Sequence, residues 1–266
     1  MRFHSSLAGI VAFANALTFV AFAIAPARAQ QPLPKLAPHV ASPAIAVLVW
    51  HDVLPRKDVY FDTTTAAFAA QLDAIARGGF HVVTLAALRD RLERGTPLPP
   101  KPLVLTFDDN ARGIYLNAFP LLVRRRYAAT LFVHTNYVGK TTSKAHNSWA
   151  DLRAMTASGL VDVQSLTANH PPDLTKLSDA DVTHEFALAK HSLEVRLGRR
   201  AYAVVYPYDV YDARVEALAA KAGYELGFTE DHGNAGTSTS LLEIHRYSIT
   251  VPERFDQALA DVAAHS

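Results

Sequence analysis

Pro102-Leu103-Val104-Leu105-Thr106-Phe107-Asp108-Asp109 is an apolar run of strand length that ends abruptly in two adjacent carboxylates. Runs of four to eight apolar residues without helical periodicity read as buried strands. Carboxylates are costly to place at the end of such a strand unless they are paired or put to use. At the C-terminal mouth of a parallel strand, one carboxylate can ligate a divalent metal while its neighbour takes a proton from an activated water. The same pair can also do no more than start a loop and cap a helix, accepting its orphan N–H groups.

Working outward, strand-like runs alternate with segments of 3.6-residue period. Phe68, Leu72 and Ile75 define a helical face ending at Gly78-Gly79, and Phe80-His81-Val82-Val83 is the next strand. Leu85, Leu88 and Leu92 predict a helix stopped by Gly95, and Leu116, Phe119, Leu122 and Val123 predict the helix after the carboxylate strand. Ala129-Thr130-Leu131-Phe132-Val133 and Val161-Asp162-Val163-Gln164 read as strands, with Trp149, Leu152 and Met155 on a helix between them. Ser178-Asp179-Ala180-Asp181 resembles a capping box for a helix with inner face Val182, Phe186, Ala189 and Leu193. Strand Tyr202–Tyr206, a helix through Val215, Leu218 and Ala222, strand Tyr224–Phe228 and a last helix through Phe255, Leu259 and Val262 complete the pattern. This alternation predicts an α/β domain with a parallel sheet covered by helices, most simply closed into a barrel with its site at the C-terminal rim. Periodicity alone leaves an open doubly wound sheet equally possible.

The N-terminus reads differently. Arg2 and His4 precede an apolar stretch from Leu7 to Ala25, and Ala27-Arg28-Ala29 supplies an A-x-A cleavage site. Residues 1–29 are therefore expected to be a signal peptide, with an uncleaved anchor as the other reading. Residues 30–43 form a Pro-rich tether, and residues 44–266 a single domain, exported to the periplasm or secreted, with no stable membrane span once the signal is cleaved. The chain has 266 residues, no cysteine and a formal charge of +1 with acids and bases interspersed. Disulfides and thiolate metal sites are thus excluded, and no basic block marks nucleic acid as a partner.

A second polar segment follows the strand at 161–164: Ser165-Leu166-Thr167-Ala168-Asn169-His170-Pro171-Pro172-Asp173-Leu174. Together with T-F-D-D at 106–109 it resembles the metal-dependent polysaccharide deacetylases, the NodB-homology family of carbohydrate esterases, whose motifs read T-F-D-D-G and S-H-T-x-x-H-P-x-L. The resemblance spans roughly residues 44 to 250. Val49-Trp50-His51-Asp52-Val53 resembles the family's Y-H-x-V segment, Val205-Tyr206-Pro207-Tyr208-Asp209 its x-Y-P-Y-G motif, and Ile244-His245-Arg246-Tyr247 falls where its last motif is expected.

What the resemblance implies is a distorted (β/α) barrel of the NodB-homology type and a hydrolase acting on carbon–nitrogen bonds. Its expected substrate is an N-acetylated, or with less support O-acetylated, polysaccharide or oligosaccharide. Residue by residue, Asp108 matches the catalytic base, Asp109 and His170 match metal ligands, and His245 matches the general acid. Tyr206, Pro207 and Tyr208 match the substrate-binding groove wall, and the implied cofactor is a divalent metal, zinc first. The first metal-binding histidine is replaced by Leu166, which offers no donor atom, while hydrolytic zinc sites usually hold three protein ligands. His134 and His51, each just past a strand, are the possible substitute ligands. Asn110 and Asp209 replace motif glycines and are expected to adopt left-handed backbone. A catalytically degenerate glycan-binding protein and a hydrolase of a non-sugar amide are the alternatives.

Overall fold

The structure, a computed structural model, describes residues 44–265. The expected signal peptide and tether lie outside the described residues. No described helix is long and apolar enough to cross a membrane.

The chain begins with β1 (Ala46–Trp50), the short pair β2 (Val53–Leu54) and β3 (Thr63–Thr64), then α1 (Thr65–Arg77), β4 (His81–Val82), α2 (Leu85–Arg94) and β5 (Pro102–Phe107). After a π-helical turn at Ile114–Ala118 come α3 (Phe119–Arg125), β6 (Ala129–Val133), α4 (Trp149–Ala157) and β7 (Val161–Ser165). The chain continues with α5 (Asp179–Leu197), β8 (Ala203–Val205), α6 (Ala213–Lys221), β9 (Leu226–His232), β10 (Ile244–Ser248) and α7 (Glu253–Ala264). Polar caps set the helix starts: Thr64, Thr84 and Asp212 accept from N–H groups of the first turn, and Ser148 with Asp151 forms a complete capping box. Ser178 accepts from the Asp181 N–H, as its spacing predicted.

All the main strands are parallel, in the order β1-β10-β9-β8-β7-β6-β5, and β1 pairs again with β5 from Ala46↔Leu103 to Trp50↔Phe107. That pairing closes a seven-stranded barrel and decides against the open sheet. The barrel is distorted at β5, whose outer edge is shared: β4 holds its start at His81↔Pro102 and β6 its end at Phe107↔Leu131.

The strand period of two divides the core. Ile45, Val47, Val104, Phe132, Val205, Phe228 and Ile244 fill the barrel, and Leu48, Trp50, Leu103, Leu105, Phe107, Leu131 and Val133 pack outward with helix residues such as Phe68, Leu72 and Leu152. Each fully buried large side chain contributes about 1.5–3 kcal/mol, so the interior plug forms a firm floor for whatever sits above it. A third cluster, around Phe186, Val204, Tyr206 and Leu218, seats α5 and α6 on β8.

One predicted face is rotated. Leu122 is buried and Phe119 packs on the core as expected, whereas Leu116 and Val123 are exposed and Ile114, Ala118 and Leu121 take the other buried places. The cause is the π-helical turn at 114–118, which inserts a residue per turn and swings the following helix out of the 3.6-residue phase. The segment 233–240 packs against the start of β1. Its Ala235 is fully buried and donates its N–H to the Ile45 carbonyl.

Candidate active site

Thr106 and Asp108 continue the inward-facing row of Val104, so Asp108 rises from the floor of the barrel into its mouth. Here Arg246 meets it from β10, on the same strand face as Ile244, donating from Nη1 to Oδ1 at 3.0 Å and from Nη2 to Oδ2 at 2.8 Å. The Arg246 Nε–H donates to the Thr229 carbonyl at 2.8 Å, and the guanidinium lies over the Phe132 and Phe228 rings. Both partners are buried. Burial pushes the Asp108 carboxyl above its ordinary value while Arg246 draws it back, which leaves a carboxylate more basic than a free one. Proton abstraction benefits from that.

Asp109 and Asn110 both adopt left-handed backbone, with φ of 67° and 57°. Such residues cost roughly 1–2 kcal/mol each outside glycine, and Asn147 supports the turn. Its amide donates to the Asn110 side chain at 3.1 Å, and its backbone N–H to the Asn110 carbonyl at 3.0 Å. The turn sends successive carboxylates in different directions, Asp108 into the barrel and Asp109 to the rim. Asp209 also adopts left-handed backbone, φ 59°, as expected for both glycine replacements.

Asp109 Oδ1 lies 3.7 Å from His170 Nε2. Two ligands on one tetrahedral zinc stand about 3.3 Å apart, given bonds of about 2.0 Å, so this carboxylate and imidazole are disposed to share a cation. His170 is carried on the loop after β7, whose Ala168 and Asn169 N–H groups both donate to the Glu185 carboxylate of α5, at 3.1 and 2.8 Å. Burial lowers the His170 pKa against the pull of Asp109, and it lowers that of His134 to about 4. Both rings therefore stand neutral near pH 7, the form that ligates metals.

His134 ends β6 beside this pair. It is buried, its ring centroid 5.3 Å from that of His170 and 4.9 Å from that of His146, and its Nδ1 is buried without a partner. Leu166 is fully buried among the barrel residues, where it packs as an ordinary core side chain.

His51 occupies the other side of the mouth. Its Nε2 lies 3.4 Å from Glu230 Oε1, and one ligand-type atom from each of His51, Asp108 and Glu230 falls within 4.8 Å of the others. Burial works against the imidazolium, yet the Glu230 hydrogen bond and the field of Asp109 and Asp108 outweigh it and push His51 up to about 9. For Glu230, burial is outweighed by His51 and Arg246, which hold its carboxyl down to about 2. These three donors form a second group that could hold a cation, with His51 Nε2 engaged by Glu230 in the structure as it stands.

Two expectations are corrected. His245 stands one residue from Arg246 and, by the strand period, on the opposite face, which it shares with Tyr247, hydrogen-bonded to Asp261 of α7. Its ring lies against Gly233 and its N–H donates to Ser238 Oγ, so it does not join the carboxylates. Tyr206 is no groove wall: it is fully buried and donates its hydroxyl to the Leu242 carbonyl, while Pro207 is also buried. Only Tyr208 of that motif faces solvent, 66% exposed, with its ring 4.7 Å from that of His170.

Sequence reasoning missed Arg246, Glu230 and Glu185. Arg246 adjoins the residue that was chosen, and the parity of an inward-facing Ile244 was the available signal. Glu230 stands two residues after the inward-facing Phe228, beside an irregularity between β9 and β10 where Ile244 pairs with Phe228 but Arg246 with His232. The extra β9 residues form a bulge that no local pattern announces.

A family model described as "Polysaccharide deacetylase" matches residues 95–227, half of the chain. Among curated proteins, the chain is 23% identical over 278 aligned residues to the poly-beta-1,6-N-acetyl-D-glucosamine N-deacetylase of Escherichia coli (strain K12), covering 85% of this chain and 41% of that one. It is 28% identical over 183 residues to the enzyme of the same name from Staphylococcus epidermidis, covering 64% and 61%. The chain thus spans less than two thirds of either relative. Among solved structures, the Streptococcus pyogenes deacetylase PplD in complex with acetate superimposes with a TM-score of 0.74 at 26% identity, over 82% of this chain and 99% of that one.

Proposed function

Because this chain belongs to the polysaccharide deacetylase family, hydrolases that act on carbon–nitrogen bonds, we propose that it is an exported, metal-dependent enzyme removing acetyl groups from an N-acetylated glycan. The observation that carries the reading is the mouth of the barrel itself. A buried aspartate held by an arginine fork stands between a carboxylate–imidazole pair suited to a cation and a histidine–glutamate pair suited to giving a proton. The names of the curated relatives support the amide and the sugar polymer.

The donor pair suits a divalent cation such as zinc, with oxygen from Asp109 and nitrogen from His170. When bound, it would supply Lewis acidity toward the acetyl carbonyl and make a water more acidic.

The chain's own groups do the rest. Asp108 accepts the proton of the water that attacks the acetyl carbon, and Arg246 fixes its orientation and charge. His51, protonated and tied to Glu230, stands close enough to Asp108 to give a proton to the departing amine as the C–N bond breaks. Acetate and a free amino sugar result, and Tyr208 offers an exposed aromatic face for the sugar ring.

The test is acetate release from partially acetylated β-1,6-linked glucosamine polymer and from chito-oligosaccharide, with and without added zinc, in wild type and Asp108→Asn. Zinc-stimulated release that the variant loses is expected; equal rates in the two proteins would discard the mechanism. A second reading, a glycan-binding protein without turnover, rests on Leu166, which removes one ligand from the metal shell. Glycan retention by a wild type that releases no acetate and holds no metal would establish it.

A further inference from the structure

We infer that His134 is the third metal ligand, supplying from β6 the imidazole that Leu166 no longer supplies from β7. This rests on the metal-dependent reading above and goes beyond it by naming the residue.

The argument begins with register. β6 and β7 run parallel and pair from Ala129↔Val161 to Val133↔Ser165, and the Leu166 N–H donates to the Val133 carbonyl at 2.9 Å. The next residues in register are His134 and Leu166. Adjacent strands lie about 4.8 Å apart, and paired residues point to the same face. That face is the barrel interior, since Phe132, two residues before His134, and Leu166 itself both pack there. An imidazole at 134 therefore projects over the same part of the rim as one at 166 would, displaced sideways by a single strand.

The surroundings of His134 point the same way. It is 6% exposed and lies edge-on to the ring of His170, whose Nε2 already faces Asp109 Oδ1. A buried polar nitrogen without a partner carries a desolvation cost of about 1–3 kcal/mol, and His134 Nδ1 is one. The donor atoms of Asp109, His170 and His134 do not all lie within 4.8 Å of one another, so ligation requires the His134 ring to turn toward the Asp109–His170 pair, and no hydrogen bond holds its Nδ1 against that. The neighbouring His146 is committed differently, with its Nδ1 bonded to the Lys140 carbonyl at 3.1 Å. His51 Nδ1 is also buried without a partner, but its Nε2 is engaged by Glu230 and its ring stands with Asp108 and Glu230 rather than with Asp109 and His170.

The experiment is zinc titration by calorimetry, with elemental analysis, of the wild type, His134→Ala, His146→Ala and the double variant His134→Ala/Leu166→His. One zinc per wild-type chain is expected, with affinity lowered at least about tenfold by His134→Ala, the smallest effect even outer-shell changes produce. His146→Ala should retain wild-type binding, and Leu166→His should restore binding to His134→Ala, a rescue that general unfolding could not give. Should His134→Ala fail to fold, the cobalt(II)-loaded wild type decides by proton NMR. Two exchangeable hyperfine-shifted imidazole N–H signals support the assignment, and one overturns it. Unchanged zinc affinity in His134→Ala, or its loss in His146→Ala alone, overturns the assignment while the metal-dependent reading stands. A wild type that takes up neither zinc nor cobalt overturns both.

Discussion

Arg246 holds Asp108 through two parallel hydrogen bonds of 3.0 and 2.8 Å inside the barrel, each partner almost wholly removed from water. Arg246→Ala should strand a buried carboxylate and destabilise the protein by about 3–5 kcal/mol, read as a fall in thermal midpoint. Arg246→Lys keeps a cation but not the fork. Its expected signature is a kcat reduced by up to about a hundredfold, from misplacement of the base, with KM little changed. A kcat equal to wild type would show that the fork does not position Asp108.

On the proposed mechanism the His51–Glu230 pair gives a proton rather than holding the metal. His51→Gln should slow glycan deacetylation by roughly 10²–10⁴-fold with no loss of bound zinc. Hydrolysis of 4-nitrophenyl acetate, whose leaving group needs no proton, should be slowed far less. Equal losses on both substrates, or a fall in zinc content, would contradict the assignment.

Lys144 binds the Asp52 carboxylate at 3.2 Å and forms a second, closer ion pair with Asp62, both aspartates being buried. It ties the loop before α4 to both the β1–β2 and the β2–β3 connections. Lys144→Met should leave two buried carboxylates without their cation, at a cost of about 3–5 kcal/mol. For a chain of this size that lowers the midpoint by roughly 10 °C, measurable by calorimetry. A shift of a degree or two would show that the aspartates find other partners.

Glu216 on α6 is only 7% exposed, and burial, reinforced by Glu243 and Asp212, pushes its carboxyl up to about 7. The folded protein therefore holds this proton more tightly than the unfolded chain, whose glutamates titrate near 4.3. Stability from this group is complete below that value and is lost as the pH climbs toward 7. Glu216→Gln should accordingly gain in thermal midpoint relative to wild type between pH 5 and pH 8, with little difference at pH 4. A difference independent of pH would refute the assignment.

The sequence by itself determined the alternation of strands and helices, the cap that starts α5, and the paired carboxylates at the end of β5. It also places at 166 a leucine, which offers no donor atom. Those features are local: period, turn chemistry and residue type are fixed by neighbours a few positions away. Tertiary structure alone decided closure through β1↔β5, which a strand's own composition does not encode. It also chose Arg246 over His245, because which face of β10 looks inward depends on pairing with both neighbours. Strand order brought Glu230 of β9 to His51 at the end of β1, and register set His134 beside Leu166. Facing partners in this site come from strands far apart in the chain, and only the long-range pairing of a closed barrel brings them to one rim.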